Sequence, residues 1–174
     1  MSEILYDATI KTYDHFLLSL EGLLDKVEAH ARESGGPVET LCAARLSDNM
    51  WDFAKQIEQC CHHSQGAVEG LRQGEFSPLG GDVPHDLTTL HTMLSEARAF
   101  LATITPAELD QLARKDLNFL FSDRRLPFTA KDFLLGFSIP NFYFHVTTAY
   151  GILRNQGVSI AKRDFLGKLP LKKA

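Results

Sequence analysis

The residue with the most chemical promise in this chain is His145. It lies in Pro140-Asn141-Phe142-Tyr143-Phe144-His145-Val146-Thr147-Thr148-Ala149-Tyr150. On a helix, Asn141, His145 and Thr148 are spaced four and three, so they share one face. Nine of the 17 aromatic residues fall between Phe119 and Tyr150, so this polar stripe runs through apolar surroundings. Buried there, it must find hydrogen-bond partners. The readings are a satisfied core histidine, the lining of a ligand pocket, with Tyr143 in the same segment, or a metal ligand. A histidine with an asparagine is a poor transition-metal set.

The other reactive side chains form weaker patterns. Glu58 and His62 are four apart, the spacing of an ordinary ion pair. His62 and His63 are adjacent and point about 100° apart on a helix. His85 and His91, six apart, also diverge. His15 and His30 lack polar company, so all of these read as surface or boundary residues. Cys42, Cys60 and Cys61 are odd in number and contain no C-x-x-C, which suggests thiols used as small core residues in a reducing compartment. No nucleotide-binding, zinc-protease or hydrolase signature occurs, and neither does the paired Glu-x-x-His of a di-iron bundle.

Amphipathic helices must position these residues. Apolar spacing of three and four predicts long helices near 3–33, 48–72, 86–104 and 130–156. Ser34-Gly35-Gly36-Pro37 stops the first, and Pro37 starts a short helix over 37–44. Ser47 is the expected N-cap of the second. Thr105-Pro106-Ala107-Glu108 is a capping box that opens a short helix to about Ala113, and Thr129 with Asp132 opens the last long helix. Pro140 inside that helix predicts a kink. Between the short and last helices, Asn118 to Phe128 places aromatic residues around Ser122-Asp123, the pattern of a small hairpin excursion. The expected fold class is all-α, a four-helix bundle forming one domain over 1–174.

The chain has 174 residues, 44% of them apolar, enough for one continuous core. No apolar run approaches the roughly 20 residues of a membrane span, and the first residues lack the basic and apolar regions of a secretory leader. The net charge of −4 is uneven. Residues 162–174 hold five basic side chains and one acidic, and the preceding 161 hold 13 basic and 21 acidic. The acidic body repels nucleic acid. The basic tail reads as a solvated terminus or as an arm lying on an acidic partner subunit.

Several motifs resemble a bacterial domain-of-unknown-function family within the DinB-like superfamily. They are Leu5-Tyr6-Asp7-Ala8, Leu23-Leu24-Asp25-Lys26, Arg45-Leu46 with Met50 (Asn49 replacing an aspartate), Pro140 to His145, Leu153-Arg154 with Gly157, and Lys162 to Gly167. The resemblance covers roughly residues 3–167. It implies a helical bundle, commonly dimeric, with relatives that bind a divalent metal through three histidines or act as thiol-dependent transferases or isomerases. Carried onto this chain, the three ligand positions fall on Gln56, Asn141 and His145. Two are amides, weak substitutes for imidazole. His145 is then the sole candidate ligand, and no tightly held cofactor is expected.

The resulting expectation is a cytoplasmic homodimer that binds a small molecule in a polar cavity on the bundle axis. Gln56, Asn141, Tyr143, His145 and Thr148 would line that cavity. The alternatives are a transferase, isomerase or metal-dependent enzyme with His145 as base or ligand, and a non-catalytic dimeric scaffold.

Overall fold

The computed structural model describes residues 2–172. Four long helices surround one core. Helix α1 (residues 2–34) contains a π-helical turn at Asp7–Lys11, and α2 (Val38–Cys42) follows it. Helix α3 (residues 53–73) contains a π turn at His62–Gly66. Next come β1 (Glu75–Phe76), α4 (Leu87–Leu101), α5 (Pro106–Leu112), β2 (Asp116–Phe121) and β3 (Arg124–Thr129). Helix α6 (residues 130–155) contains a third π turn at Leu134–Ser138, and α7 (Lys162–Leu166) ends the described elements. Helices α1 and α3 each pack on both α4 and α6, which closes a ring of four. Its interior is aliphatic and aromatic, with Tyr13, Leu17, Leu20, Leu24, Phe53, Ile57, Leu90, Leu94, Phe133 and Phe142 fully buried.

The class is corrected from all-α to mostly helical with a three-stranded sheet. β2 and β3 form an antiparallel hairpin that pairs Asp116 with Thr129 and Phe121 with Arg124. β1 joins it in parallel, with Phe76 opposite Phe119. The sheet needs a close approach to α3. A Cβ on Gly70 would lie 3.0 Å from the Glu75 carbonyl oxygen and 3.2 Å from Phe76 Cβ, so only glycine lets the strand lie this near.

Expected caps form at Thr105, which accepts from Glu108 N–H, and at Thr129, which accepts from Asp132 N–H. The second long helix begins later than its apolar stripe suggested. Ser47 closes a turn with Met50, and Asp52 caps α3 by accepting from Lys55 N–H at 2.9 Å. The tail is also more ordered than a plain solvated end. Asp164 accepts from Ala161 N–H at the start of α7, and His15 Nε2–H donates to the Leu166 carbonyl at 2.7 Å. Lys173 and Ala174 lie outside the described residues.

Candidate functional site

The π turn in α3 and the one in α6 meet next to a pocket of about 390 Å³. Such a turn inserts one extra residue and rotates the helix beyond it, and π turns recur at functional sites. Ser138 closes the α6 turn. Its hydroxyl donates to the His63 carbonyl at 2.6 Å, and Tyr13 Oη–H donates to Ser138 Oγ at 2.9 Å. The His63 carbonyl, in the wide α3 turn, is thereby bonded across the core from α6, and α1 joins it through the Ser138 hydroxyl.

His145 projects from α6 and is 4% exposed. Its partner is fixed by elimination. Gln56, 1% exposed, gives its amide N–H to the Trp51 carbonyl at 3.1 Å. Its Oε1 therefore faces His145 Nδ1, at 2.7 Å, and Nδ1 carries the proton. Nε2 is left as an unprotonated acceptor. The faces of this imidazole are covered as well. Trp51 stacks at 5.8 Å between centroids, and His63 stacks on it at 5.6 Å with an interplanar angle of 17°.

His63 is 6% exposed and also packs against Phe76 and Phe137. Burial, with His145 and His62 nearby, pushes its imidazole down to about 3. Burial, then His62, pushes His145 down to about 4. Both rings are neutral at pH 7.

Phe76, Phe119, Phe121, Phe137 and Phe144 supply the apolar wall, with Trp51, Pro78 and Leu79 at the mouth. Three contacts hold the loop carrying Pro78 and Leu79. His62 Nε2–H donates to the Ser77 carbonyl at 2.8 Å, Lys55 Nζ donates to the Gly81 carbonyl at 3.0 Å, and His85 Nε2–H meets Asp52 Oδ2 at 3.1 Å. The buried Lys55 ammonium is compensated by Glu58 at 2.5 Å, so Glu58 pairs with Lys55 and not with His62.

The residues anticipated from sequence divide into two groups. Gln56 and His145 are bonded to each other, and Asn141 lines the pocket. Asn141 does not reach that pair, because its amide N–H turns back to the Phe137 carbonyl at 2.7 Å. Thr148 is spent on the Phe144 carbonyl at 2.7 Å, and Tyr143, 38% exposed, packs edge-on against Phe16 away from the pocket. His63 and Gln59, both on the pocket wall, were missed. Their signal was the spacing of Gln56, Gln59 and His63, three and four apart on one helical face.

A three-histidine metal centre does not fit these residues. Both polar atoms of the Gln56 amide are committed to protein partners. His63 and His145 stand in nearly parallel planes, so their in-plane lone pairs do not converge on one point. Among the described residues no group of three His, Cys, Asp or Glu side chains is placed to share an ion. The thiols stay protonated: burial lifts Cys42 and Cys61 to about 12 and Cys60 well above its usual range. No described helix is long and apolar enough to cross a membrane.

Comparison with known proteins places the fold. The model of a family described as a domain of unknown function (DUF1993) matches residues 5–166. A crystal structure of a DinB family member protein from Shewanella denitrificans superimposes with a TM-score of 0.84 at 28% identity, covering 99% of this chain and 97% of that one. Among curated proteins nothing matches.

Proposed function

The chain belongs to the DUF1993 family and is DinB-like, and we propose that it binds a small, uncharged, largely apolar molecule in the pocket beside His63 and His145. One observation carries this reading. Two buried imidazoles are stacked on each other at the wall of an aromatic pocket, and neither Nε2 has a hydrogen-bond partner among the described residues. Neither Nε2 is sealed off, so each is available to a molecule entering the pocket. Here a guest can satisfy them. The volume of about 390 Å³ suits a molecule of one or two rings. With both imidazoles neutral and no carboxylate, lysine or arginine lining the pocket, a charged guest would lose its hydration without compensation.

Trp51 is the sole tryptophan and stands at the mouth, so its fluorescence reports occupancy. Small neutral aromatic probes such as toluene and benzamide, titrated into the full chain, are expected to change Trp51 emission saturably. A linear response to every probe, matching that of free N-acetyltryptophanamide, would overturn the reading.

Transfer chemistry is the second reading, favoured by the Gln56–His145 bond, which holds Nε2 free and oriented as a base and its orienting partner do. A base pushed down to about 4 is weak at neutral pH, and none of the three thiols lines the pocket. Binding therefore accounts better for the residues. We extend the proposal to a homodimer, supported by the acidic body and basic tail and by the DinB-like fold.

A further inference from the structure

The polar atoms of the pocket have definite hydrogen-bonding signs, and together they describe a functional group. His145 Nε2 accepts, because Nδ1–H is given to Gln56. Gln59, 3% exposed, directs its amide N–H to Glu58 Oε2 at 3.2 Å, which leaves Oε1 as a second acceptor without a protein partner.

His63 has the opposite sign. Its Nδ1 is the one fully enclosed side-chain polar atom among the described residues with no partner. A proton there would be a buried N–H with no acceptor, the rarer and costlier kind of orphan. The neutral ring therefore carries its proton on Nε2, which is not enclosed and belongs to a side chain on the pocket wall. At the half-buried rim, Asn141 keeps its Oδ1 free after donating to Phe137.

Resting on the pocket reading above, we infer that this wall recognises a planar primary carboxamide, with its carbonyl oxygen accepting from His63 Nε2–H and its two N–H groups donating to His145 Nε2 and Gln59 Oε1. An aryl or heteroaryl body then lies among Phe76, Phe119 and Phe137. A carboxylate of the same shape presents only acceptors to two acceptors and carries an uncompensated charge. A dialkyl amide loses both donors. A plain arene leaves all three wall atoms unpaired.

Two measurements on the full chain test this. Long-range proton–nitrogen NMR of labelled protein at pH 7, with His63→Phe and His145→Phe spectra for assignment, is expected to place the proton on Nδ1 of His145 and Nε2 of His63. The reverse at either ring overturns the inference whether or not anything binds. Trp51 fluorescence titrations with benzamide, N,N-dimethylbenzamide, benzoate and toluene supply the second. Benzamide is expected to bind about tenfold or more tightly than each of the others, the effect of one or more buried hydrogen bonds. Equal affinities for benzamide and toluene overturn the carboxamide and leave the pocket standing. No saturation with any of the four overturns the pocket reading itself, and the ligand class with it. His63→Phe, which keeps an aromatic ring in the stack, is expected to shrink the benzamide preference to within about threefold, read as the ratio of benzamide to toluene affinity within the variant. A variant that binds toluene normally and keeps the full preference overturns the assignment.

Discussion

Replacing Gln56 with leucine isolates the contact on which the site depends. Leucine nearly matches the volume of glutamine, so the perturbation is chemical and not a cavity. Two bonds disappear, Gln56 Oε1 with His145 Nδ1–H and Gln56 Nε2–H with the Trp51 carbonyl. Their fates differ. Trp51 is 49% exposed, and water can reach its carbonyl at little cost. His145 is 4% exposed, so its Nδ1 is left without a partner, costing about 1–3 kcal/mol. The two lost bonds contribute about 1 kcal/mol each, and burying leucine in place of an amide returns about 1 kcal/mol. The net expectation is a loss of roughly 2–4 kcal/mol, seen in urea denaturation as a lower midpoint with an unchanged slope, and as a melting temperature lower by about 4–16 °C. His145→Phe combined with Gln56→Leu removes the orphan, so the double-mutant cycle should return a coupling of about 1–2 kcal/mol. A loss below about 0.5 kcal/mol, or a coupling near zero, would refute the reasoning that this pair is sealed and mutually satisfied.

Protonation gives a second handle. Because His145 is lowered to about 4 from an unfolded value near 6.5, the unfolded chain binds more protons between those limits. Its contribution to stability is complete above pH 6.5, falls as pH drops toward 4, and is constant below, the lowered His63 adding in the same direction. Trp51 emission should titrate with a midpoint near pH 4, and this transition should be absent in His145→Phe. Ser122, at φ 56° in the β2–β3 turn, holds a conformation that disfavours a Cβ, so Ser122→Gly should stabilise the protein by up to about 1 kcal/mol in denaturation. Gly167 combines a positive φ of 59° with contact against Ser19, so Gly167→Ala should detach α7 from α1, measurable as faster amide exchange over residues 162–167 with the bundle unchanged. Light scattering at micromolar concentration should return twice 19.4 kDa, and a monomer would remove the proposed dimer.

Helices whose ends carry their own chemistry were legible from the sequence. Thr105 and Thr129 cap where spacing predicted because each hydroxyl, just ahead of a helical run, accepts from the N–H three residues on. The reciprocal half of the predicted box does not form at Thr105, where the Glu108 carboxylate pairs with Arg72. Ser47 lost to Asp52 for a reason spread over the fold. The Asp52 carboxylate also meets Arg45 and His85, and the turn it enforces keeps Trp51 outside the helix, where its ring can cover His145. Strand β1 was not legible, since two residues carry no periodicity. It exists because Gly70 allows the chain leaving α3 to lie against the helix and pair with β2.

The pairing of Gln56 with His145 was anticipated through resemblance, whereas His63 was missed for a physical reason. A uniform turn of about 100° per residue sets adjacent His62 and His63 on diverging faces, and only the longer spacing from Gln56 and Gln59 singles out His63. The π turn at His62–Gly66 breaks that uniformity. It frees the His63 carbonyl for Ser138 and sends the His63 ring inward onto His145, while His62 turns to Phe76 and the Ser77 carbonyl. Ser138 stands ready because the α6 turn ends there, two residues before Pro140, whose missing N–H makes a regular α turn unfavourable at that point. The proline thus marked a real interruption of the helix, taken up as a wide turn next to the pocket. Tyr13, two residues past the π turn of α1, completes the chain of hydroxyls. The same buried bonds that join three irregular helices therefore hold the backbone from which His63 meets the pocket, and any change to Tyr13 or Ser138 should be felt as altered binding as well as lost stability.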